Sequence, residues 1–250
     1  MKRIREVVIN TLLGMILINL LWLVAAHILQ MNVLPDPFAV YVHFGEIWKR
    51  DMAMHVLTSL WRIAAGIAIA ALIGTITAFW MVQNRNAGKL LGAFVYFSYP
   101  IPKLALLPVV MLLAGLGDVA KIIMIVLIIL FQVIVNMRDS LKNIPRESFL
   151  IVTSLGAGRK DVFRHVILPA ILPDLFSTLR VAVGTAISVL FITETYGTDR
   201  GMGYFIVDAW MRINYTEMYA GIVILSMMGF FLFLLTDLLE VGLCGWKDYH

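Results

Sequence analysis

Six runs of apolar residues, each with at most one charge, constrain this chain more than any other feature. They lie at residues 7–29, 63–82, 90–117, 119–137, 175–193 and 218–236. A helix of about 20 apolar residues crosses a bilayer core about 30 Å thick. Only 14% of the residues are charged, against about 25% in soluble domains. The chain is therefore expected to be an all-α, polytopic membrane bundle with six transmembrane helices.

The first run follows the charged sequence MKRIRE, as a signal peptide would. A signal h-region is about 7–15 residues long, which is shorter than this run. A retained first span is therefore favoured over a cleaved signal, and the second interpretation stays open.

Lys and Arg are divided unevenly between the segments that join these runs. With the N-terminus inside, 12 of the 20 fall on inner segments and three (Arg62, Lys103, Arg180) within or at the margins of runs. Five are counted on the outer side: Lys49, Arg50, Lys121 at the start of the fourth run, Arg200 and Arg212. Basic residues accumulate on the cytoplasmic side, so both termini are expected in the cytoplasm. Residues 138–168 then form a cytoplasmic loop between the fourth and fifth spans. The same bias accounts for the net charge of +4, and nucleic acid is not an expected partner.

Motifs that would indicate chemistry within the chain are missing from the sequence. Cys244 is the only cysteine, so the chain forms no internal disulfide. We find no His/Cys cluster with metal-ligand spacing, no GxxxxGK[ST] loop and no GxSxG elbow. We expect no catalytic residue, metal or cofactor in this chain.

The loop at 138–168 reads as two short amphipathic helices separated by glycine. Phe149, Val152 and Leu155 recur every three residues, and Leu150 and Ile151 widen this stripe. Gly156 ends the first piece, and residues 159–167 combine apolar and charged side chains at helical spacing. The apolar faces need to be buried. The lipid surface, a groove on a partner and the underside of the chain's own bundle all remain possible on this pattern.

The loop and three neighbouring blocks resemble the permeases of ABC importers. It reads Glu147-Ser148-Phe149, Gly156 after six further residues, and then Ile167-Leu168-Pro169. This is similar to the family's E-A-A…G…I-x-L-P signature. The blocks LTSLWRIAAG, YPIPKLALLPVVMLLAGLGD and ITETYGTDRGMGYFIVDA resemble the branch that imports nitrate, sulfonates, taurine and related solutes. The resemblance covers roughly residues 55–245, within a single permease domain expected over residues 1–250.

In that family the loop is the coupling helix, which docks into a cleft on a cytoplasmic ATPase subunit. The resemblance implies docking or hinge roles for these residues: Glu147, Phe149, Val152, Gly156, Ala157 and Arg159. Ser148 and Phe149 stand where the family often has two alanines. A Phe needs a deeper pocket than an Ala, so we hypothesise that this chain requires its own cognate ATPase.

The resemblance also implies the partners and the location. We expect a homodimer in a bacterial inner membrane, with two cytoplasmic ATPase subunits that bind ATP and Mg. We also expect an external solute-binding protein, which docks on the outer segment 197–215. The chain itself would then be a non-catalytic subunit.

A charge among prolines marks the expected substrate path. Pro100 and Pro102 lack an N–H and break a helix, and a broken helix in a membrane is tolerated where it lines a cavity. Lys103 is expected to present positive charge to an anionic solute, or alternatively to snorkel to an interface. Glu194 is a gate residue or, as we favour, a structural carboxylate that pairs with Arg200.

Other charges and small residues inside the runs have structural explanations. A salt bridge or snorkelling is favoured for Arg62, and an anchoring role for Arg180 and Asp174. Small residues allow close helix contacts, within one bundle or at a subunit interface. They are Gly66, Gly74, Ala182 and Gly184.

We therefore expect the permease subunit of an ABC importer for a small anionic solute such as nitrate, a sulfonate or taurine. One alternative is an importer of an aromatic or vitamin-precursor solute. A second is an ion-coupled secondary carrier, which would need acidic residues buried in mid-span, and only Glu194 comes near that. A membrane-embedded enzyme would need paired acid and base groups, which we do not find.

Overall fold

The computed structural model describes residues 2–246, with side chains for residues 13–48 and 51–246. Every regular element in that part is a helix. Lys247, expected on the cytoplasmic side, lies outside the described residues. The helices are α1 (Lys2–Leu29), α2 (Pro37–Val42), α3 (Phe44–Ile47), α4 (Ala53–Gln83), α5 (Arg85–Ser98), α6 (Leu107–Ala114), α7 (Asp118–Lys142), α8 (Arg146–Ser154), α9 (Arg159–Val162), α10 (Leu168–Glu194), α11 (Met202–Met211) and α12 (Tyr215–Leu243).

Four helical stretches in the described part are long and apolar enough to cross a membrane. They are α4, α7, α12 and the continuous stretch Arg159–Glu194, which includes α10. Helix α5 and the stretch Lys103–Ala114 together pass the same test, but they meet at an angle of 86°. The first predicted span falls in α1, of which the part with described side chains, Leu13–Leu29, is an apolar helix. Among the described residues, four helical stretches qualify as spans by length and composition, or five with the bent pair.

Helix α7 lies at the centre, with α4 packed along one side and α10 along another. A Cβ on Gly66 would lie 2.5 Å from Ile125 Cγ2, and one on Gly74 would lie 2.7 Å from Val133 Cγ1. These two glycines therefore let α4 approach the branched side chains of α7. Packing within one chain explains them, whereas a Cβ on Gly184 would meet nothing within 4 Å.

The same contacts fix the relative direction of α4 and α7. Gly66 lies against Ile125, and Gly74 lies against Val133, eight residues further along both helices. Residue numbers therefore increase in the same direction along α4 and α7, so the two helices run parallel. The segment between them, α5 and α6, must return to the side on which α4 began. The helix break predicted at Pro100 and Pro102 lies in this segment, between Ser98 and Lys103.

Charged and polar side chains hold α10 to its neighbours. Arg180 Nε donates to Asp237 Oδ1 of α12 at 2.6 Å, and an Nη of Arg180 donates to Glu240 Oε2 at 2.7 Å. Ser140 of α7 donates to Asp174 at 2.5 Å. The anchoring roles predicted for Arg180 and Asp174 are confirmed.

Helix α1 joins the other helices mainly through aromatic side chains. Trp22 stacks on Tyr219 of α12 at a centroid distance of 5.3 Å, and its indole N–H donates to the carbonyl of Pro35 at 3.1 Å. Most apolar side chains of α1 from Leu13 onward stay exposed. This helix is therefore peripheral to the central bundle.

Candidate functional site

The bend between α5 and α6 forms one wall of a cavity of about 440 Å³, here called the bend cavity. Helices α7 and α10 form its other walls. Its lining residues are Tyr99, Ile101, Pro102, Lys103, Leu104, Ile128, Phe131, Gln132, Ser188, Val189 and Ile192. The predicted path residues Pro102 and Lys103 are among them, whereas Pro100 lies in the bend without lining the cavity.

Lys103 caps the end of α5. Its ammonium donates to the carbonyls of Ser98 at 3.1 Å and Tyr99 at 2.9 Å, and reaches that of Ile101 at 3.5 Å. The last carbonyls of a helix lack partners within the helix, so a cation there satisfies them. The ammonium also lies 4.6 Å from the ring centroid of Phe131. The Lys103 ammonium therefore puts a positive charge at the cavity wall, while its N–H groups donate to carbonyls of the same chain.

Gln132 is a cavity residue that the sequence analysis missed. It lies in the middle of α7, in a run otherwise apolar apart from Lys121 and Asn136. An amide in mid-span is costly unless it finds a hydrogen-bond partner, and this signal could have identified it. Across the cavity, the Ser188 hydroxyl donates to the carbonyl of Gly184 at 3.0 Å, which leaves its oxygen able to accept.

A second group of polar residues, here called the outer charge cluster, consists of Ser59, Arg62, Asp118, Lys121 and Glu194. Arg62 Nη1 donates to Glu194 Oε1 at 2.7 Å, and its Nε donates to Asp118 Oδ1 at 2.9 Å. The side chain of Arg62 is 3% exposed and that of Glu194 is 0% exposed. The salt bridge predicted for Arg62 is confirmed. The cation beside Glu194 is Arg62, where the sequence suggested Arg200.

Backbone groups of residues 197–203 complete the coordination of this cluster. Glu194 Oε2 accepts the N–H of Gly203 at 2.9 Å, and Arg62 donates to the carbonyl of Arg200 at 3.0 Å. Lys121, which is fully buried, donates to the carbonyls of Leu116 and Gly197. Glu194 does not line the bend cavity. Glu194 therefore lies apart from Lys103 and Pro102, although the sequence suggests all three as candidate residues of the substrate path.

The family of binding-protein-dependent transport system inner membrane components matches residues 66–243. The chain belongs to this family. It is 27% identical over 248 residues to the formylaminopyrimidine transport permease protein ThiX of Halalkalibacterium halodurans, which covers 99% of both chains. It is 28% identical to the putative aliphatic sulfonates transport permease protein SsuC of Escherichia coli, over 92% of this chain and 89% of that one.

A third relative is the taurine transport system permease protein TauC of Escherichia coli, 30% identical over 76% of this permease and 66% of that protein. Among solved structures, an inward-facing methionine ABC transporter MetNI matches with a TM-score of 0.61 at 19% identity. That match covers 76% of this chain and 96% of the other, and it supports the fold. The resemblance to importer permeases of the nitrate, sulfonate and taurine type is confirmed.

The predicted docking loop of this permease folds as α8, a turn at glycine, and α9. Gly156 has a φ of +82°, and its N–H donates to the carbonyl of Thr153 at 3.0 Å. Glycine adopts this left-handed conformation without strain and commonly ends a helix. The N–H of Gly158 donates to Asp161 Oδ2 at 3.0 Å, which starts α9.

The apolar side chains of α8 are exposed unevenly. Leu150, Ile151 and Leu155 are 66%, 63% and 82% exposed, whereas Phe149 and Val152 are half-buried. Of the other predicted docking residues, Glu147, Gly156 and Arg159 are exposed and Ala157 is half-buried. The exposed part of the predicted stripe is therefore Leu150, Ile151 and Leu155, and the docking role of this loop stays a prediction.

Proposed function

We propose that this permease forms the translocation path of an ABC importer for a small anionic solute. The observation that carries the proposal is the bend cavity, which places the Lys103 ammonium, Gln132 and Ser188 around one space between three membrane segments. Broken transmembrane helices commonly line substrate sites in transporters. The cavity size of about 440 Å³ falls within the range of small-molecule sites, about 300–1,000 Å³.

The charge of the cavity supports an anionic solute. Lys103 supplies a positive charge at the wall, and the residues that line the cavity include no Asp or Glu. The N–H groups of Lys103 donate to the carbonyls at the end of α5, so the ammonium would act on a solute through its electrostatic attraction. Gln132 would supply the hydrogen bonds to the solute. Nitrate, an alkylsulfonate and taurine all present the negative oxygens that such a site would favour.

An aromatic or vitamin-precursor solute is the second candidate. Tyr99 and Phe131 line the same cavity, so a flat ring could stack there. The relative named for formylaminopyrimidine matches along the whole chain, which also favours this solute class.

The proposed topology has six spans with both termini in the cytoplasm of a bacterial cell. Because α4 and α7 run parallel, α5 and α6 would cross the membrane together as one bent span, and α1 would supply the sixth. We propose that two copies form the complete path. Nothing lies within 4 Å of a Cβ added to Gly184, and Leu112 and Leu113 of α6 are strongly exposed. These open apolar surfaces leave room for a helix of a second copy or for lipid.

The proposed partners lie on opposite sides of the membrane. Two cytoplasmic ATPase subunits would dock on α8 and α9, bind ATP and Mg, and hydrolyse ATP, so this chain performs no chemistry. A solute-binding protein would dock on the outer segment 197–215. A secondary carrier is disfavoured because the buried acidic residues near span ends, Glu194 and Glu217, are already paired with Arg62 and Arg212.

Reconstitution in proteoliposomes tests this function. Uptake should require the permease, its cognate ATPase, the binding protein and ATP together, and should stop when ATP is replaced by a non-hydrolysable analogue. Uptake driven by an ion gradient without ATP would reject the proposal. Competition between taurine, an alkylsulfonate, nitrate and a formylaminopyrimidine would distinguish the two solute classes.

A further inference from the structure

The outer charge cluster lies at one end of the same elements that form the bend cavity. On α10, Ile192 lines the cavity and Glu194 follows two residues later. On α7, Ile128 lines the cavity and Lys121 precedes it by seven residues, which is about 10 Å along a helix. A movement of the cluster would therefore shift both of these cavity walls.

The cluster is balanced in charge and densely hydrogen-bonded. Two cations, Arg62 and Lys121, face two anions, Glu194 and Asp118, and all except Asp118 are buried. Arg62 alone joins Glu194, Asp118 and the carbonyl of Arg200. A buried charge that loses its partner is strongly destabilising. The cluster therefore holds α4, α7 and α10 in one relative arrangement.

Most of the cluster's remaining bonds end on the backbone of residues 197–203, here called the seated segment. The N–H of Met202 donates to Ser59 Oγ at 2.8 Å, and that of Gly203 donates to Glu194 at 2.9 Å. One turn before Ser59 on α4, His55 Nδ1 accepts the N–H of Gly201 at 3.1 Å. The seated segment is thus fixed by side chains of α4, α7 and α10.

Gly201 of the seated segment packs directly against the carboxylate of Glu194. Its φ is +115°, and an added Cβ would overlap the carboxyl group of Glu194. A side chain at this position is strained by the positive φ, and it fits only if the Glu194 carboxylate or the seated segment shifts. The carboxylate and the glycine therefore form one close contact.

We propose that the outer charge cluster is a positioning network that transmits docking on the outer face of the seated segment to the walls of the bend cavity. This inference rests on the proposed function, because it takes the docking partner to be the solute-binding protein. Arg62 and Glu194 are its central positioning residues. They act on the path through the seated segment, α7 and α10, and neither contacts the solute.

The test uses the permease with its cognate ATPase and binding protein in proteoliposomes. We would measure the ratio of ATP hydrolysis with saturating binding protein to ATP hydrolysis without it. Gly201→Ala is expected to lower this ratio about tenfold, within the usual range of coupling between sites. Gly115→Ala is the matched control, because its φ is +79° but its added Cβ meets nothing within 4 Å.

The control should keep the wild-type ratio, and Glu194→Gln should behave like Gly201→Ala because it removes the charge while keeping the shape. An unchanged ratio in both Gly201→Ala and Glu194→Gln would overturn the proposal. So would a proportional loss of both rates, which is what a merely structural role predicts.

A labelling experiment separates this inference from the proposed function. In a Cys244→Ala background, Met202→Cys reports on the seated segment and Met137→Cys on the distant core; both methionines are 0% exposed. Gly201→Ala should make Met202→Cys reactive to a membrane-impermeant maleimide and leave Met137→Cys protected. If Met202→Cys stays protected, the proposal fails. If labelling is as expected but the wild-type complex shows no ATP-dependent uptake, the proposed function fails instead.

Discussion

Lys103 and Gln132 line the same cavity but differ in what they can offer a solute. The Lys103 ammonium is 2.9 Å from the carbonyl of Tyr99 and has two further carbonyls within 3.5 Å. Gln132 is half-buried on the wall formed by α7, in the middle of an apolar helix. A positive field from one residue and directional hydrogen bonds from the other are complementary means of selecting a small anion.

Replacing Gln132 should weaken solute recognition without weakening the fold. We expect Gln132→Leu to raise the half-saturation concentration for uptake about tenfold, the effect of losing a hydrogen bond worth about 1.4 kcal/mol. The melting temperature in detergent should stay the same. Gln132→Glu should impair uptake of an anion more strongly than Gln132→Leu, because it adds a like charge. Equal uptake by the Leu variant and the wild type would remove Gln132 from the path.

The buried charges show where residue-level prediction from sequence succeeds and where it stops. An Arg inside a span demands an ion pair, so the salt bridge of Arg62 could be predicted. Its partners could not, because Asp118 and Glu194 are 56 and 132 residues away in the chain. Lys121 reads as an outer-loop charge in the sequence, yet tertiary contacts bury it completely.

At the scale of elements, the sequence near the bend predicts its structure better than the sequence of the docking loop predicts which residues are exposed. Pro102 and Pro100 remove backbone donors, so the break between α5 and α6 follows from local chemistry alone. The glycine turn after α8 follows in the same way. The exposed face of α8 does not, because this nine-residue helix carries apolar residues on several sides. Packing against the rest of the chain decides which of them stays free.

The exposed face of α8 should determine how tightly the ATPase is held. We expect Leu150→Ser combined with Ile151→Ser to release the ATPase on co-purification, because two apolar anchors of about 1.5–3 kcal/mol each would be lost. The melting temperature of the isolated permease should change little, since both side chains are more than 60% exposed.

Phe149→Ala provides the comparison for that experiment. Because Phe149 is half-buried, its loss should lower the melting temperature as well as ATPase retention. If Phe149→Ala releases more ATPase than the double variant and leaves the melting temperature unchanged, Phe149, rather than Leu150 and Ile151, is the main docking contact.

At the scale of the whole molecule, charge bias and helix direction lead to the same topology by independent routes. The Lys and Arg distribution places residues 138–168 in the cytoplasm. The parallel packing of α4 and α7 requires an odd number of crossings between them, which the bent pair supplies as one. The proposed topology would then put residues 197–203 on the outer side and α8 on the inner side, as an importer that receives solute outside and energy inside requires.

Cysteine labelling in intact cells tests this topology directly. Cys244 is 3% exposed, and its replacement by Ala gives a background without reactive thiols. The side chains of Asp199 and Arg159 are both exposed, and the proposed topology puts them on opposite sides of the membrane. Asp199→Cys should therefore react with a membrane-impermeant maleimide in intact cells, whereas Arg159→Cys should react only after permeabilisation. Met31→Cys, just beyond α1, should behave like Asp199→Cys. An N-terminal tag that persists in the membrane would confirm that α1 is a retained span. Labelling of Arg159→Cys in intact cells would invert the topology and remove the ATPase from α8.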